Sequence, residues 1–500
     1  MVTYLRRNPD GVLWLLAVYL AVQAAFRIFV SNSLSVDESQ QVFFGQWLSI
    51  GYNTQPPLYN WLQYAVFAVF GISIASVAIL KNIMLFISYL CYYRLSREVL
   101  KQQLFAVIAT LGFFTIPQMF WQAQKDLTHT VSLLIAITLS IHLTIRILKS
   151  PSTLSYVLLG FAVAAGMLSK YNFALVVLAI LVAVLMHPEG LRRLLDKRFL
   201  LTIAISVVLF LPHGLWILRN PELASDATLS MMSADAVQSR LAQILEGLKD
   251  LATTSFAIAA PTTLFLAIIF GRDFVAAFKA RSDWSRFFTR FYATILAALL
   301  VMILVMTLTE FRDRWLFPFL FLLPLLICLK LEAADVKAED YFAKFLVLPI
   351  VMLCLLPFIL TGGTMLAGVL GKYGNLNRPY ARFVEAAIAK EGKQPSLIVT
   401  ERWHDAGNVK LAEQAAPVIV GNFPGYAPAA TISSDHPALL IFNTERANTE
   451  PLSAQLQEWL SAHPELNQTP VKQTLDIRYL YGKEDATYPF TYVWVYPAAP

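Results

Sequence analysis

Long apolar runs separated by short polar turns fill the first 361 residues and then stop. A bilayer core of about 30 Å needs roughly 20 apolar residues in a helix. Runs near 12–30, 74–93, 103–121, 127–147, 153–169, 172–187, 199–218, 251–271, 288–309, 314–331 and 343–361 meet or approach that length. They predict eleven transmembrane helices, with the fifth and sixth short. The stretch LYNWLQYAVFAVF (58–70) is apolar too, but thirteen residues rise only about 20 Å. It reads as a helix lying in or dipping into the outer interface, and residues 39–50 read as another. Beyond residue 361 the pattern changes. SLIVT (396–400), PVIVG (417–421) and ALLIFN (438–443) read as short buried strands. VKQTLDIRYLY (471–481) and FTYVWVYP (490–497) alternate as strands do, and LSAQLQEWLSAH (452–463) has the period of an amphipathic helix. The expected organisation is a membrane domain over 1–361 and a small α/β domain over 362–500, with Gly362-Gly363 as a hinge.

Composition sharpens this. The 500 residues are 57% hydrophobic and 14% charged, against roughly 25% charged in soluble domains. The class is polytopic membrane protein. The net charge of +6 is not a nucleic-acid signal, because the basic residues sit in short loops where they set orientation. With the N-terminus and its Arg6 and Arg7 in the cytoplasm, Arg94, Arg97, Lys101, Arg146, Lys149, Arg192, Arg193, Lys197 and Arg198 fall inside. So do Arg272, Lys279, Arg281, Arg286, Arg290, Lys330, Lys337 and Lys344. An odd number of spans then puts 362–500 in the periplasm. Met1–Asp10 is basic like a signal n-region, but the run after it is too long for a signal core, so it predicts an uncleaved first helix. Cys91, Cys328 and Cys354 lie within apolar runs and form no disulfide framework or CxxC metal site.

The exceptions to the charge pattern are the candidate site. On the predicted outer side stand Asp37 and Glu38 after the first span, then Lys125 and Asp126 in QAQKDLTH, and Lys170 in LSKYN. His213 and Arg219 follow in LPHGLWILRNPE, and Arg312 and Arg314 in TEFRDRWLFP. Ionised groups at membrane helix ends are costly or must be solvated, so such convergence predicts a binding site. A leaving group that is an anionic lipid phosphate needs cations at the membrane surface, which the lysines and arginines supply. An acceptor hydroxyl needs a carboxylate to take its proton, and Asp37 is the candidate. Pro56-Pro57 would turn the chain sharply and shape the pocket rim. Each residue has a plainer reading. Asp37 suits a solvated loop or cap, and Glu38 a helix N-terminus. Lys125 and Lys170 suit snorkelling to headgroups; Asp126 suits a cap or a pair with Lys125. His129 and His213 read as hydrogen-bonded helix-end residues rather than metal ligands. Glu310–Arg314 suits a self-neutralising turn, although two outer arginines run against the orientation rule. Tyr59 belongs first to an interfacial aromatic belt with Trp47, Tyr52, Trp61 and Tyr64, with sugar stacking as its second reading.

The order of a long first helix, Asp-Glu, about twenty residues, Gln-Pro-Pro-Leu and an aromatic-rich helix resembles a family of lipid-phosphate-sugar transferases. That family includes dolichyl-phosphate-mannose protein mannosyltransferases and the bacterial aminoarabinose transferase acting on lipid A. The Gln-Pro-Pro-Leu-Tyr form and the chain length resemble its rhizobial-type lipopolysaccharide galacturonosyltransferases. The resemblance covers about 12–330; KD at 125–126 and LSKYN at 168–172 support it weakly. It implies a GT-C fold, an inverting mechanism and a polyprenyl-phosphate sugar donor, undecaprenyl or dolichyl, used on the outer membrane face. It implies Asp37 as catalytic acid/base and Glu38 and Lys170 as pocket residues. Many members carry His where this chain has Gln55, so an acid-base or metal role does not transfer to that position, while a hydrogen-bonding role does.

The expectation is an inner-membrane glycosyltransferase acting on a lipid A, lipopolysaccharide or other envelope acceptor, with membrane lipids around it and no cofactor required by the sequence; a divalent metal has no support. The alternatives are a protein O-glycosyltransferase and a transporter or flippase of lipid-linked sugars. The flippase reading expects inverted repeats and ionisable residues near the midplane, whereas here the charges cluster on one face and no repeat is visible. The long polar stretch 219–250 is expected to act as a lid.

Overall fold

A computed structural model describes residues 1–223, 239–421, 423–442 and 452–498. The longer helices are α1 (Gly11–Val30), α2 (Val36–Phe44), α3 (Leu58–Phe70), α4 (Ile74–Val99), α5 (Gln103–Leu111), α6 (Thr128–Lys149), α7 (Thr153–Met167) and α8 (Phe173–Leu185). They continue with α9 (Phe199–Arg219), α10 (Arg240–Phe270), α11 (Asp283–Met306), α12 (Asp313–Leu320), α13 (Leu323–Ala333) and α14 (Ala338–Met365). Each of the eleven expected runs is helical. Among the described residues eight helices are long and apolar enough to cross a bilayer, counting α12 and α13 as one. A ninth span is the bent pair 103–115 and 118–125, and α7 and α8 are shorter. Only 11% of the apolar window of α9 is buried within the protein. Phe29 and Ile268 are 83% and 79% exposed. Apolar surface on that scale belongs against lipid, which makes the chain an integral membrane protein.

Three boundaries differ from expectation for local reasons. Helix α2 starts at Val36, not near 39, because Glu38 reaches back to accept the Ser35 backbone N–H at 2.9 Å. Helix α10 starts at Arg240, not near 251, because the Ser239 hydroxyl caps it by accepting from the Ala242 N–H. Residues 240–250 of the expected lid are therefore helical, and 224–238 lie outside the described residues. The third run bends by 74° after a 3₁₀ turn at Gly112–Thr115, where Pro117 precedes a π-turn at Gln118–Gln122.

The chain forms two compact units. One holds Met1–Leu20, Ser49–Tyr59 and Asn82–Leu356; the other holds Ala21–Leu48, Asn60–Lys81 and Pro357–Pro500. The second unit contains a five-stranded sheet in the order β2-β1-β3-β5-β4, made of β1 (Leu397–Thr400), β2 (Val418–Val420), β3 (Ala438–Phe442), β4 (Gln473–Arg478) and β5 (Thr487–Val495). Strands β2, β1 and β3 are parallel; β5 and β4 add antiparallel. Strands β1 and β3 are buried at every position, as central parallel strands are, while edge strand β4 alternates. All five expected strands and the 452–463 helix, now α17 (Ala454–Ser461), are present. Two further helices, α15 (Tyr380–Glu391) and α16 (Trp403–Ala412), were not foreseen, and α16 matters most for the site.

Candidate functional site

The second unit carries the acid pair. Glu38 is 2% exposed. Arg27, near the end of α1, grips it with a fork: Nε to Oε1 at 2.9 Å and Nη2 to Oε2 at 2.7 Å. Lys81, in the second turn of α4, stands 3.9 Å from the same carboxylate and is equally buried. Burial alone would raise the Glu38 pKa. The charges of Arg27 and Lys81, with hydrogen bonds from Arg27 and the Ser35 backbone, win and hold it at about 2. Glu38 is thus a permanent anion with its lone pairs committed, and it cannot exchange protons near neutrality. Asp37, one position earlier and so turned about 100° around the helix, is half-buried rather than enclosed. Of the two adjacent carboxylates, Asp37 is the more exposed.

Arg27 also fixes the loop that leads to the acids. Its Nη1 and Nη2 donate to the Ser31 and Ser33 carbonyls at 3.1 and 2.7 Å. The C-terminal part of the same unit holds that loop from its other side. The Ser31 and Ser33 hydroxyls donate to the Leu376 and Arg378 carbonyls, and the Leu34 N–H donates to the Asn408 side chain at 2.7 Å. Helix α16 lies flat on α2 at Gly407, where a Cβ would come within 2.0 Å of the Ser39 carbonyl oxygen. Only a residue without a side chain permits that approach. Asp405 anchors the start of α16: it accepts from the Tyr380 hydroxyl at 2.5 Å and pairs with Arg402 at 3.1 Å.

The first unit carries the cations. The loops that carry them are sewn to one another. The Asp313 carboxylate accepts from Gln122 at 2.6 Å and from Gln118 at 3.4 Å, joining 118–126 to 310–315. The Lys170 ammonium donates to the Arg314 carbonyl at 3.4 Å, and Asn172 donates to the Trp315 carbonyl at 3.2 Å, joining 168–172 to the same turn. Lys125, Lys170, Arg312 and Arg314 therefore come from three loops held as one. Lys125 lies 4.2 Å over the Trp121 ring and Arg312 5.3 Å over Trp315; Arg312 also pairs with Glu310 at 2.6 Å. Lys125 and Arg314 are exposed. Two irregularities flank Lys125-Asp126: the π-turn before and Leu127 after, whose φ of 68° is costly for a non-glycine residue. The 49–59 segment joins this set through the Leu58 N–H, which donates to the Leu168 carbonyl at 3.0 Å, and through Gly51, which packs against the Trp216 ring. Tyr59 is buried beside His129. Gln55 is half-buried, and its backbone N–H donates to the Asn53 side chain. His213 is fully occupied: Nδ1 donates to the Ile50 carbonyl at 2.7 Å and Nε2 accepts from the Tyr171 hydroxyl at 3.1 Å. It acts as a clasp. Arg219 stands at the exposed end of α9, and among the described residues no hydrogen bond or ion pair ties it to the other loops. No group of three or more His, Cys, Asp or Glu side chains among the described residues is placed to hold a metal ion.

Sequence reasoning missed Arg27, Lys81 and Asn408. The first two had a signal: each is an ionised residue inside an apolar run, a costly position that demands a partner. Asn408 had none, because it meets the loop only through a contact more than 370 residues away in sequence.

Comparison with known proteins fits this arrangement. A family described as dolichyl-phosphate-mannose-protein mannosyltransferase matches residues 54–216. The chain is 38% identical to the lipopolysaccharide core galacturonosyltransferase RgtB of Rhizobium johnstonii, with 98% of both chains covered. It is 36% identical to RgtA of the same organism, with 97% of both covered. Among solved structures it is similar in fold to ArnT from Cupriavidus metallidurans bound to undecaprenyl phosphate: TM-score 0.63, 13% identity, 97% of this chain and 98% of that one. The mycobacterial arabinofuranosyltransferase AftD shares the fold at a TM-score of 0.54, covering 98% of this chain and 40% of its own. The fold is GT-C, and this chain belongs to the family of membrane glycosyltransferases that contains the rhizobial lipopolysaccharide core galacturonosyltransferases.

Proposed function

We propose that this glycosyltransferase moves a sugar, of the uronic acid type named for its relatives, from a polyprenyl-phosphate donor to a saccharide of lipopolysaccharide. Asp37 accepts the proton of the acceptor hydroxyl. The oxygen attacks the anomeric carbon from the face opposite the phosphate, the bond from that carbon to the phosphate oxygen breaks, and the configuration inverts. The polyprenyl phosphate leaves as an anion, and Lys125, Lys170, Arg312 and Arg314 stabilise the charge that develops on it. Glu38 does no proton transfer; it is the buried counter-charge that keeps Arg27 and the acid loop in place. Gln55, Tyr59 and Asp126 line the substrate path, His213 holds that path's wall, and Arg219 contributes long-range positive charge. The reading rests above all on the contrast in the acid loop, where one carboxylate is locked in a buried ion triad and its neighbour is only half-buried.

Residues 1–361 form the membrane catalytic part and 362–500 the α/β domain, which shares a compact unit with the acid loop. The charge distribution supports a bacterial inner-membrane location with the acid loop and the α/β domain in the periplasm. A protein O-glycosyltransferase is the second reading, favoured by the description of the family that matches 54–216. Mass spectrometry of envelope glycolipids and periplasmic proteins, from cells with and without the gene, separates the two. The proposal expects one uronic acid mass to vanish from lipopolysaccharide alone. A loss confined to protein, or no loss, would refute it.

A further inference from the structure

Beyond the acid loop, the second unit contains a cavity of about 370 Å³ where the end of α2, helix α3 and the α16–β2 turn come together. That volume is in the range of small-ligand sites. Its wall includes Gln46, Tyr64, Phe67, Lys410, Gln414 and Tyr426. The two carboxamides are structural: Gln46 exchanges hydrogen bonds with the Val418 backbone, and Gln414 donates to the Ile72 carbonyl. The other polar groups are not used up. Lys410 is only 8% exposed. Its ammonium donates to the Gln414 and Ala416 carbonyls at 2.7 and 3.0 Å and forms no ion pair among the described residues. An ammonium has three N–H donors, so one is left over. The neighbouring Glu413 is engaged by the backbone N–H groups of Ala415 and Ala416. A buried cation without a counter-ion is costly and marks a place for an anion; burial accordingly lowers the Lys410 pKa, with Glu413 opposing. The Tyr64 and Tyr426 hydroxyls have no hydrogen-bond partner among the described residues, and the Tyr426 ring is stacked on Trp47 at 4.2 Å.

The cavity also lies at a defined distance from the chemistry. Gly45 and Gln46 on its wall close the helix that begins next to Asp37. At about 1.5 Å per residue, the wall is roughly 12 Å along that helix from the acid. This is too far for the reacting sugar and suited to a more distant unit of the same acceptor. The exposed end of α3, with Val69 and Phe70 73% and 76% exposed, offers an apolar surface for a lipid-anchored molecule.

We propose that this cavity is a remote acceptor subsite for an anionic sugar, carboxylated or phosphorylated, in the saccharide head of the acceptor glycolipid. Lys410 meets the anion, and the Tyr64 and Tyr426 hydroxyls meet the ring oxygens. Binding energy gathered there is used to orient the distant hydroxyl at Asp37. The proposal rests on the glycolipid-acceptor reading above.

The test uses the full chain in nanodiscs and the double variant Tyr64→Phe/Tyr426→Phe, which keeps both rings and the stack on Trp47. In one arm, saturation-transfer NMR measures binding of a galacturonate oligomer, a hexose phosphate and a neutral glucose oligomer. At least one anionic sugar should bind better than the neutral one, and which one names the anion. Binding should weaken about tenfold in the double variant, the sum of two modest hydrogen bonds. Lys410→Met should abolish the preference for anionic sugars. In the second arm, transfer kinetics should show the acceptor KM of the double variant raised about tenfold, with the donor KM unchanged and transfer to a truncated acceptor unaffected. No binding of an anionic sugar, equal binding to wild type and double variant, or an unchanged acceptor KM would overturn the subsite. Failure of the wild type to transfer to any glycolipid would instead refute the functional reading, while the binding arm still reports on the cavity.

Discussion

Replacing Glu38 with Gln tests the buried ion triad quantitatively. The change preserves size but removes the carboxylate that pairs with Arg27 and Lys81, whose side chains are 14% and 2% exposed. Breaking a buried pair by removing one partner costs about 3–5 kcal/mol, because the remaining charge is left uncompensated. The pKa of Glu38 leads to a similar size. It falls from an ordinary 4.5 to about 2, and a depression of that extent corresponds to about 3 kcal/mol. Since the folded value lies below the unfolded one, this stability is complete above pH 4.5 and is lost as pH falls toward 2. Unfolding of purified protein in detergent, followed by thermal scans and denaturant titration between pH 7 and pH 3, would measure both effects. Glu38→Gln should be destabilised by about 3 kcal/mol at pH 7 and should show a flatter loss of stability on acidification. Adding Lys81→Met should recover part of the loss, since it removes one of the two stranded cations. A Glu38→Gln protein as stable as the wild type, with the same pH dependence, would refute the claim that Glu38 is the committed counter-ion.

Four further outcomes follow from the geometry. Gly407→Val should separate α16 from α2, because even a Cβ meets the Ser39 carbonyl at 2.0 Å. Transfer should fall at least tenfold, with faster protease cleavage near residues 31–36 as the structural readout, while Asn408→Ala should cost about 1–3 kcal/mol for the unpaired Leu34 N–H. Asp313→Ala should unfasten 118–126 from 310–315 and raise the donor KM with the acceptor KM little changed, which steady-state kinetics would separate. Lys170→Gln combined with Arg314→Gln should weaken binding of polyprenyl phosphate by about a hundredfold or more, at about 1.5–3 kcal/mol per charge-assisted contact, measured by a lipid-binding assay at low and high salt.

Much of this was readable from the chain because the membrane imposes strong rules. Each apolar run had to be helical for its backbone to be satisfied in lipid, and all eleven are. The strands of the C-terminal domain announced themselves by continuous apolar runs at 397–400 and 438–442 and by alternation at 473–478. The acid pair stood out because two adjacent carboxylates interrupt so apolar a sequence. The Asp-Glu motif did not say which acid was buried in an ion triad. That depended on Arg27 and Lys81, two charges hidden inside spans, and on a fork geometry that no spacing rule encodes. His213 read as a site residue, yet both ring nitrogens are occupied by Ile50 and Tyr171. Helix α16 lacks the apolar period that announces a helix: the polar side chains of His404, Asp405, Asn408 and Lys410 are all buried in it. It packs through a glycine against a segment far away in sequence, where tertiary contact decides and local pattern is silent.

The central claim is that Asp37 takes the acceptor proton. The most direct measurement is transfer by the Asp37→Asn protein in liposomes loaded with polyprenyl-phosphate sugar and acceptor glycolipid, run beside a donor-lipid binding assay. The account predicts transfer reduced by about two to four orders of magnitude, as for loss of a general base, with donor binding unchanged. Transfer retained within a few fold, or lost together with donor binding, would contradict it.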